Sequence, residues 1–303
     1  VSVLEEARLL VGFEQSDLGK LVALTGPHKL ELDALSAPYM FGAQKAWEDA
    51  GKTATDFIEL VMKNNPNKTL EQILKRPDVQ EVLHYPFEQA AATTSAAIKS
   101  AWSSGKVLGV QHADEQLAIH NVVPAASKTT DKLLDKLIKD TQKNTVFART
   151  KFLLTLKTSS QDELNSALTK LTNDLGRRGK AGAQFASQRA YSDAQVARLE
   201  ASAKAAGVKL SKMWVTRFGP GTCKTCAALH GTVVALSAAF PATLTFGKNK
   251  APTPYSVLSG PPRHPNCRCK VVPVSEKMTK QKLGPTPTTL KAYALDWWKK
   301  LTS

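Results

Sequence analysis

Every cysteine of the chain lies between Gly219 and Val274, in two tight clusters. The first is Cys223-Lys-Thr-Cys226, followed by Leu229-His230-Gly231. The second is His264-Pro-Asn-Cys267-Arg-Cys269. Two cysteines separated by two residues turn on a knuckle and point both sulfurs at one ion. The second cluster adds a His-x-x-Cys and a Cys-x-Cys. Cys223, Cys226, His264, Cys267 and Cys269 are therefore five candidates for a tetrahedral site that takes four ligands. Thiolate and imidazole in such a site select zinc over hard cations. Cys223, Cys226 and Cys267 are expected to bind, with Cys269 or His264 as the fourth ligand. The competing reading is disulfide pairing. A disulfide scaffold spreads its cysteines over the chain, and these are not spread, so a structural zinc is expected. A catalytic zinc keeps an open position beside a general base, whereas no Asp or Glu stands between Glu200 and Glu276.

The chain has 303 residues, enough for one large or two medium domains. Alanine and leucine are common and aromatics are few, which favours helix over sheet. The formal net charge is +15. A charge that far from zero steers a protein towards polyanions such as nucleic acid or an acidic protein ring. No apolar run reaches the eighteen or so residues that span a membrane. The start, Val-Ser-Val-Leu-Glu-Glu, lacks the basic region and apolar core of a secretory signal. Folding in a reducing cytoplasm is the expectation, and it favours metal over disulfide.

Residues 1 to 206 read as a helical body. Short helices are expected over residues 1 to 50, with a break at Gly26-Pro27, a cap at Ser36 and an end at Gly51. Thr53-Ala-Thr-Asp56 and Thr69-Leu-Glu-Gln72 look like helix starts, the second a capping box. An alanine-rich helix from Pro86 is expected to stop at Ser103-Ser-Gly105. Ser127 is expected to cap a periodic helix over residues 128–157, with Leu133, Leu134, Leu137 and Ile138 on one face and lysines on the other. Ser160-Gln-Asp-Glu163 is another capping box, opening a helical stretch to about Ala206 that is interrupted at Gly176-Arg-Arg-Gly-Lys-Ala-Gly182. That basic, glycine-rich joint lacks the order of a phosphate loop, which excludes nucleotide binding there. His84, His112 and His120 stand singly and read as satisfied side chains rather than ligands.

Residues 207 to 275 form the expected Cys/His module, a small antiparallel sheet carrying the metal knuckles. Its strands are read at Met213–Phe218, Thr232–Leu236 and Cys269–Val274, with Phe240–Gly260 as a long loop that touches a partner. Residues 276 to 303 are a basic tail ending in an amphipathic helix, Leu290 to Leu301, with Trp297-Trp298. The fold class expected is mostly α, with a small C-terminal α+β module.

The order Lys212-Met-Trp214-Val-Thr-Arg217, Cys-x-x-Cys-x-x-Leu-x-Gly, a spacer, Pro-Pro-x-His-Pro-x-Cys-Arg-Cys and a short strand ending at Pro273-Val274 resembles the phage Mu F-like minor head, or head morphogenesis, proteins of tailed bacteriophages. The likeness covers roughly Gln184 to Val274. It implies a non-enzymatic virion protein, made in the host cytoplasm and placed in the capsid interior near the portal vertex during assembly and genome packaging or delivery. Portal, other capsid and scaffold proteins would be its partners, with packaged double-stranded DNA as a further one. Two alternatives are a zinc-stabilised DNA-binding protein and an endonuclease of the His-Asn-His type. The endonuclease needs a general-base histidine plus further His or Asn residues. Only His230 and His264 are at hand for it, and His264 sits within the ligand cluster.

Overall fold

The computed structural model describes residues 17–129, 131–155, 160–216, 224–241, 243–246, 249–252, 259–263, 267 and 269–279. In chain order the helices are α1 (Asp17–Lys63), α2 (Leu70–Leu74), α3 (Pro77–Ile119), α4 (Lys132–Thr155) and α5 (Gln161–Ala205). Strand β1 (Leu210–Val215) follows, then α6 (Lys224–Leu229), β2 (Val233–Ala235), β3 (Thr243–Phe246), β4 (Asn249–Pro252), β5 (Lys270–Ser275) and α7 (Glu276–Thr279). The chain is mostly helical with a small antiparallel sheet near its C-terminus. The first part of the expected short helices, residues 1–16, and the tail beyond residue 279 with Trp297 and Trp298, lie outside the described residues.

The helices are fewer and longer than the punctuation in the sequence suggested. Helix α1 runs without a break through Gly26-Pro27, Ser36, Gly51 and Thr53, and α3 runs through Ser103-Ser-Gly105. Helix α5 passes straight through Gly176 to Gly182, so the expected joint is absent. The physical reason is that an interior glycine costs only about 1 kcal/mol of helix propensity, less than a packed helix face contributes. At Gly179 the missing side chain is itself the packing device. A Cβ there would sit 3.2 Å from Thr94 Cγ2 and 3.4 Å from Trp47 Nε1.

Contacts divide the chain into two compact units. One takes Ala34–Ser104 and Thr130–Ser187, the other Val1–Asp33, Gly105–Thr129 and Gln188–Ser303. These units follow contacts rather than the chain order of body, module and tail.

The first unit is helical. Its core recurs at helical spacing: Trp47, Ala50, Ala54 and Ile58 on α1, Val79, Leu83, Phe87, Ala90 and Ala91 on α3, and Leu164, Leu168 and Leu175 on α5. Short α2 adds Leu70, Ile73 and Leu74. Its capping box is formed as expected: Gln72 N donates to Thr69 Oγ1 at 3.3 Å, and Thr69 N to Gln72 Oε1 at 3.0 Å. Helix α4 begins at Asp131 rather than at Ser127. The Asp131 carbonyl accepts Asp135 N at 3.2 Å, and its carboxylate accepts Trp102 Nε1–H at 2.9 Å. An acid fixed by a tryptophan from another helix outcompetes a free serine as the start. On α4, Leu133, Leu134, Leu137 and Ile138 are half-buried while Lys132, Lys136 and Lys139 are exposed, as the periodicity predicts.

The second unit holds the sheet, ordered β2-β1-β5 and antiparallel throughout. Trp214 pairs with Val271 and Met213 with Val272 on one side; Met213 pairs with Val233 on the other. Strand β5 is an edge, where Pro273 lacks an N–H without harm. Its carbonyl meets His120 Nε2 at 3.3 Å. Met213 and Val215 pack with Val272, Val274 and Met278 on one face of the sheet. Trp214 packs with Phe240, Leu229 and Val196 on the other. Burial on both faces explains the unbroken apolar run Val271-Val272-Pro273-Val274. The expected loop from Phe240 to Gly260 contains a hairpin, β3 with β4, in register from Thr243 opposite Pro252 to Phe246 opposite Asn249. Of the isolated histidines, His112 is satisfied at both ring nitrogens: its Nδ1 lies 3.2 Å from Tyr191 Oη, and its Nε2 lies 2.9 Å from Glu31 Oε2.

Candidate metal centre

Three short pieces of backbone converge behind Trp214. The end of β1 delivers Thr216. Helix α6 delivers Cys226. The segment before β5 delivers Cys267 and Cys269. Lys212, Trp214 and Thr216 share one side of β1 and its continuation, because side chains alternate along a strand. Gly231 lets the chain return tightly from α6 to the sheet. Its φ is 77°, in the left-handed region that a side chain disfavours, and its N–H donates to the Trp214 carbonyl at 2.8 Å. That requirement accounts for the Leu-x-Gly after the first cysteine pair.

The other approach is anchored by α5. Arg189 donates to the Gly260 carbonyl at 3.3 Å and to Ser259 Oγ at 3.0 Å, and Ser259 donates to Asp193 at 2.6 Å. These bonds hold the backbone just before the cis Pro261-Pro262 bond and Cys267. Gln195 Nε2 donates to the Val271 carbonyl at 3.2 Å and to Gln116 Oε1 at 2.8 Å, fixing the start of β5 behind Cys269. Two cations are buried nearby. Lys212 is 1% exposed, donates to the Leu236 carbonyl at 2.6 Å and lies 5.6 Å from the centroid of the Phe240 ring. Burial pushes its ammonium down to about 8. Arg263, also 1% exposed, donates to the Pro241 carbonyl at 2.8 Å.

At the centre stand Cys226, Cys267 and Cys269, exposed by 3%, 3% and 8%. All three are free thiols, and their sulfurs lie within 4.8 Å of one another. Cys226 Sγ and Cys267 Sγ are 3.7 Å apart. Two thiolates on a tetrahedral zinc with Zn–S of about 2.3 Å stand about 3.8 Å apart, so this pair already has the required spacing. Hydrogen bonds from the Cys226 and Cys269 thiols hold Cys267 well below the ordinary thiol range, and the backbone N–H groups of Arg263 and Cys269 add to the effect. The Cys226 thiol is raised by its bonds to Cys267 and Cys269, with burial adding to it. For Cys269, the hydrogen bond with Cys226 pulls the thiol down, but Cys267 and burial outweigh it and leave it raised. The three sulfurs thus form one coupled group, and it can hold a metal ion.

Of the five residues singled out in the sequence, the structure gathers Cys226, Cys267 and Cys269. Cys223 and His264 lie outside the described residues. Cys269 stands within the group, beside Cys226 and Cys267. Sequence reasoning missed Thr216, and it raised His230 only as an endonuclease candidate. Thr216 Oγ1 donates to the Cys226 carbonyl at 2.6 Å, lies 3.6 Å from Cys269 Sγ, and Thr216 N donates to His230 Nδ1 at 3.1 Å. Burial lowers the His230 pKa, in keeping with a neutral ring accepting a backbone N–H.

Residues 135–272 match the family model described as Phage Mu protein F like protein. The matched segment starts in α4, includes all of α5 and β1, and ends within β5, so it contains the whole cysteine group. No curated protein and no solved structure matches the chain.

Proposed function

We propose, on the premise that the match over residues 135–272 supports the phage Mu F-like family, that this chain works at the portal vertex of a phage head. The family suggests a head morphogenesis protein, and hence virion location and capsid-associated partners. The reading proposed goes further. The chain binds portal protein during capsid assembly, its cysteine group holds one structural zinc, and its work is architectural rather than catalytic. The observation that carries the reading is that the family match and the buried thiol group coincide in one segment.

Supporting it, residues 201–275 supply no carboxylate that could serve as a general base. His230, one of two histidines available to an endonuclease, uses Nδ1 to accept the Thr216 N–H. No helix among the described residues is long and apolar enough to cross a membrane. The net charge of +15 favours packaged DNA or an acidic ring as an additional partner. The test is structural and compositional: mass spectrometry of purified virions, with image reconstruction of the portal vertex without imposed symmetry. The chain should be present in a small fixed ratio to portal protein and resolved beside it. Its absence from virions, or its distribution over the whole shell, overturns the portal reading.

A further inference from the structure

We propose that Thr216 is the positioning residue of the thiol group, its one hydroxyl tying the backbone of Cys226 to the sulfur of Cys269. The proposal rests on the reading that the group takes a metal, and it adds a residue outside the ligand set that governs how tightly the metal is held.

A threonine hydroxyl has one hydrogen and two lone pairs. Here the hydrogen points to the Cys226 carbonyl, 2.6 Å from Oγ1. A lone pair of Oγ1 receives the Cys269 thiol hydrogen at 3.6 Å. One oxygen thus links the backbone of α6 to a sulfur delivered by the segment before β5, in surroundings where Thr216 is 5% and Cys269 8% exposed.

The backbone keeps that oxygen in place. Thr216 directly follows β1, and its N–H is tied to His230 Nδ1 at 3.1 Å. Trp214, two residues earlier, exchanges bonds with Thr232 and Gly231 on the return from α6. Cys226, through its carbonyl, and Cys269, through its sulfur, therefore share one hydroxyl carried at the end of β1. A hydrogen bond to a coordinating group orients it and tunes it, and removal of such a partner typically weakens metal binding by about 10- to 100-fold.

The test uses the full chain, with zinc affinity measured by competition against a chromogenic chelator and with the sulfur-to-metal absorption of the cobalt(II)-substituted protein. Thr216→Val, isosteric but without the hydroxyl, should bind zinc about 10- to 100-fold more weakly and shift the cobalt band. Thr216→Ala, which removes the hydroxyl without adding a methyl, should fall with it and carries the test if the valine variant does not fold. Thr216→Ser restores the hydrogen and should return affinity and band to wild type. Wild-type affinity in the valine and alanine variants overturns the proposal while leaving the metal reading intact. So does a serine variant as weak as they are, because the methyl group rather than the hydroxyl is then what matters. A wild-type chain that binds neither zinc nor cobalt removes the metal reading, and this proposal with it.

Discussion

The two compact units are built on opposite principles. The unit of Ala34–Ser104 and Thr130–Ser187 is held by long helices whose apolar residues recur at three and four. Its core from Trp47 to Leu175 is large and contains no cysteine. The unit that carries the sheet distributes its burial over several small clusters, one of which has three cysteines at its centre. It buries Lys212, Arg263 and Lys270 alongside them. Burial of apolar area stabilises the first unit in many small increments that no single residue controls. The second divides its apolar burial among smaller clusters and adds buried polar contacts and the sulfur group to them. One unit should therefore degrade gradually under mutation and the other abruptly.

The largest expected effect is at the sulfurs. Cys267→Ser removes one of the three gathered sulfurs. Structural zinc contributes on the order of 10 kcal/mol in small domains, so the strands of the sheet should lose their protection while the helical core keeps its own. Hydrogen exchange read peptide by peptide, beside zinc content, checks this. Equal loss in both units would erase the comparison. Next in size is the helical core. Trp47 is buried against Phe87, their ring centroids 6.5 Å apart. Trp47→Ala should cost about 3–5 kcal/mol in denaturant unfolding and leave zinc content unchanged.

A smaller effect separates the units by pH. The Lys212 ammonium lies below its ordinary value of 10.5, at about 8, because burial disfavours the charge. Between those values the unfolded chain holds a proton that the folded chain has released, so stability rises with pH across that window and the slope disappears below it. Lys212→Met should abolish this share of the slope, which is read by comparing the unfolding midpoints of the two proteins from pH 8 to 10.5. Identical slopes would show that the charge is solvated. Smallest is the cap of α2. Thr69→Ala removes one half of the capping box and should cost about 1 kcal/mol, a local loss confined to the helical unit.

The same contrast explains what could be read from the sequence. Cys226, Cys267 and Cys269, the strands at Lys212 and Val271 and the capping box at Thr69 are local signals, and each stands where its residues place it. Ser160 Oγ accepts Glu163 N at 3.5 Å, at the start of α5. Helix ends were misread wherever a local signal competed with distant packing. Gly51, Gly105 and Gly176 to Gly182 look like breaks, but tertiary packing carries the helices past them. Asp131 displaces Ser127 because Trp102, far away in the chain, reaches it. In the cysteine module the three cysteines that gather were legible by type and spacing. Thr216 was not, because a threonine after a strand is unremarkable until the fold sets it between Cys226 and Cys269. The hairpin from Thr243 to Pro252 was hidden within a proline- and glycine-containing stretch without an apolar alternation strong enough to mark two strands.

The central claim is that metal on three buried sulfurs holds one unit while apolar packing holds the other. The most direct measurement is elemental analysis of the purified chain, followed by hydrogen exchange before and after removal of metal with a chelator under reducing conditions. The account predicts one zinc per chain. It also predicts that chelation exposes the amides of β1 and β5 and leaves those around Ala54 and Phe87 protected. A chain without metal whose β1 and β5 amides are nonetheless fully protected would contradict it.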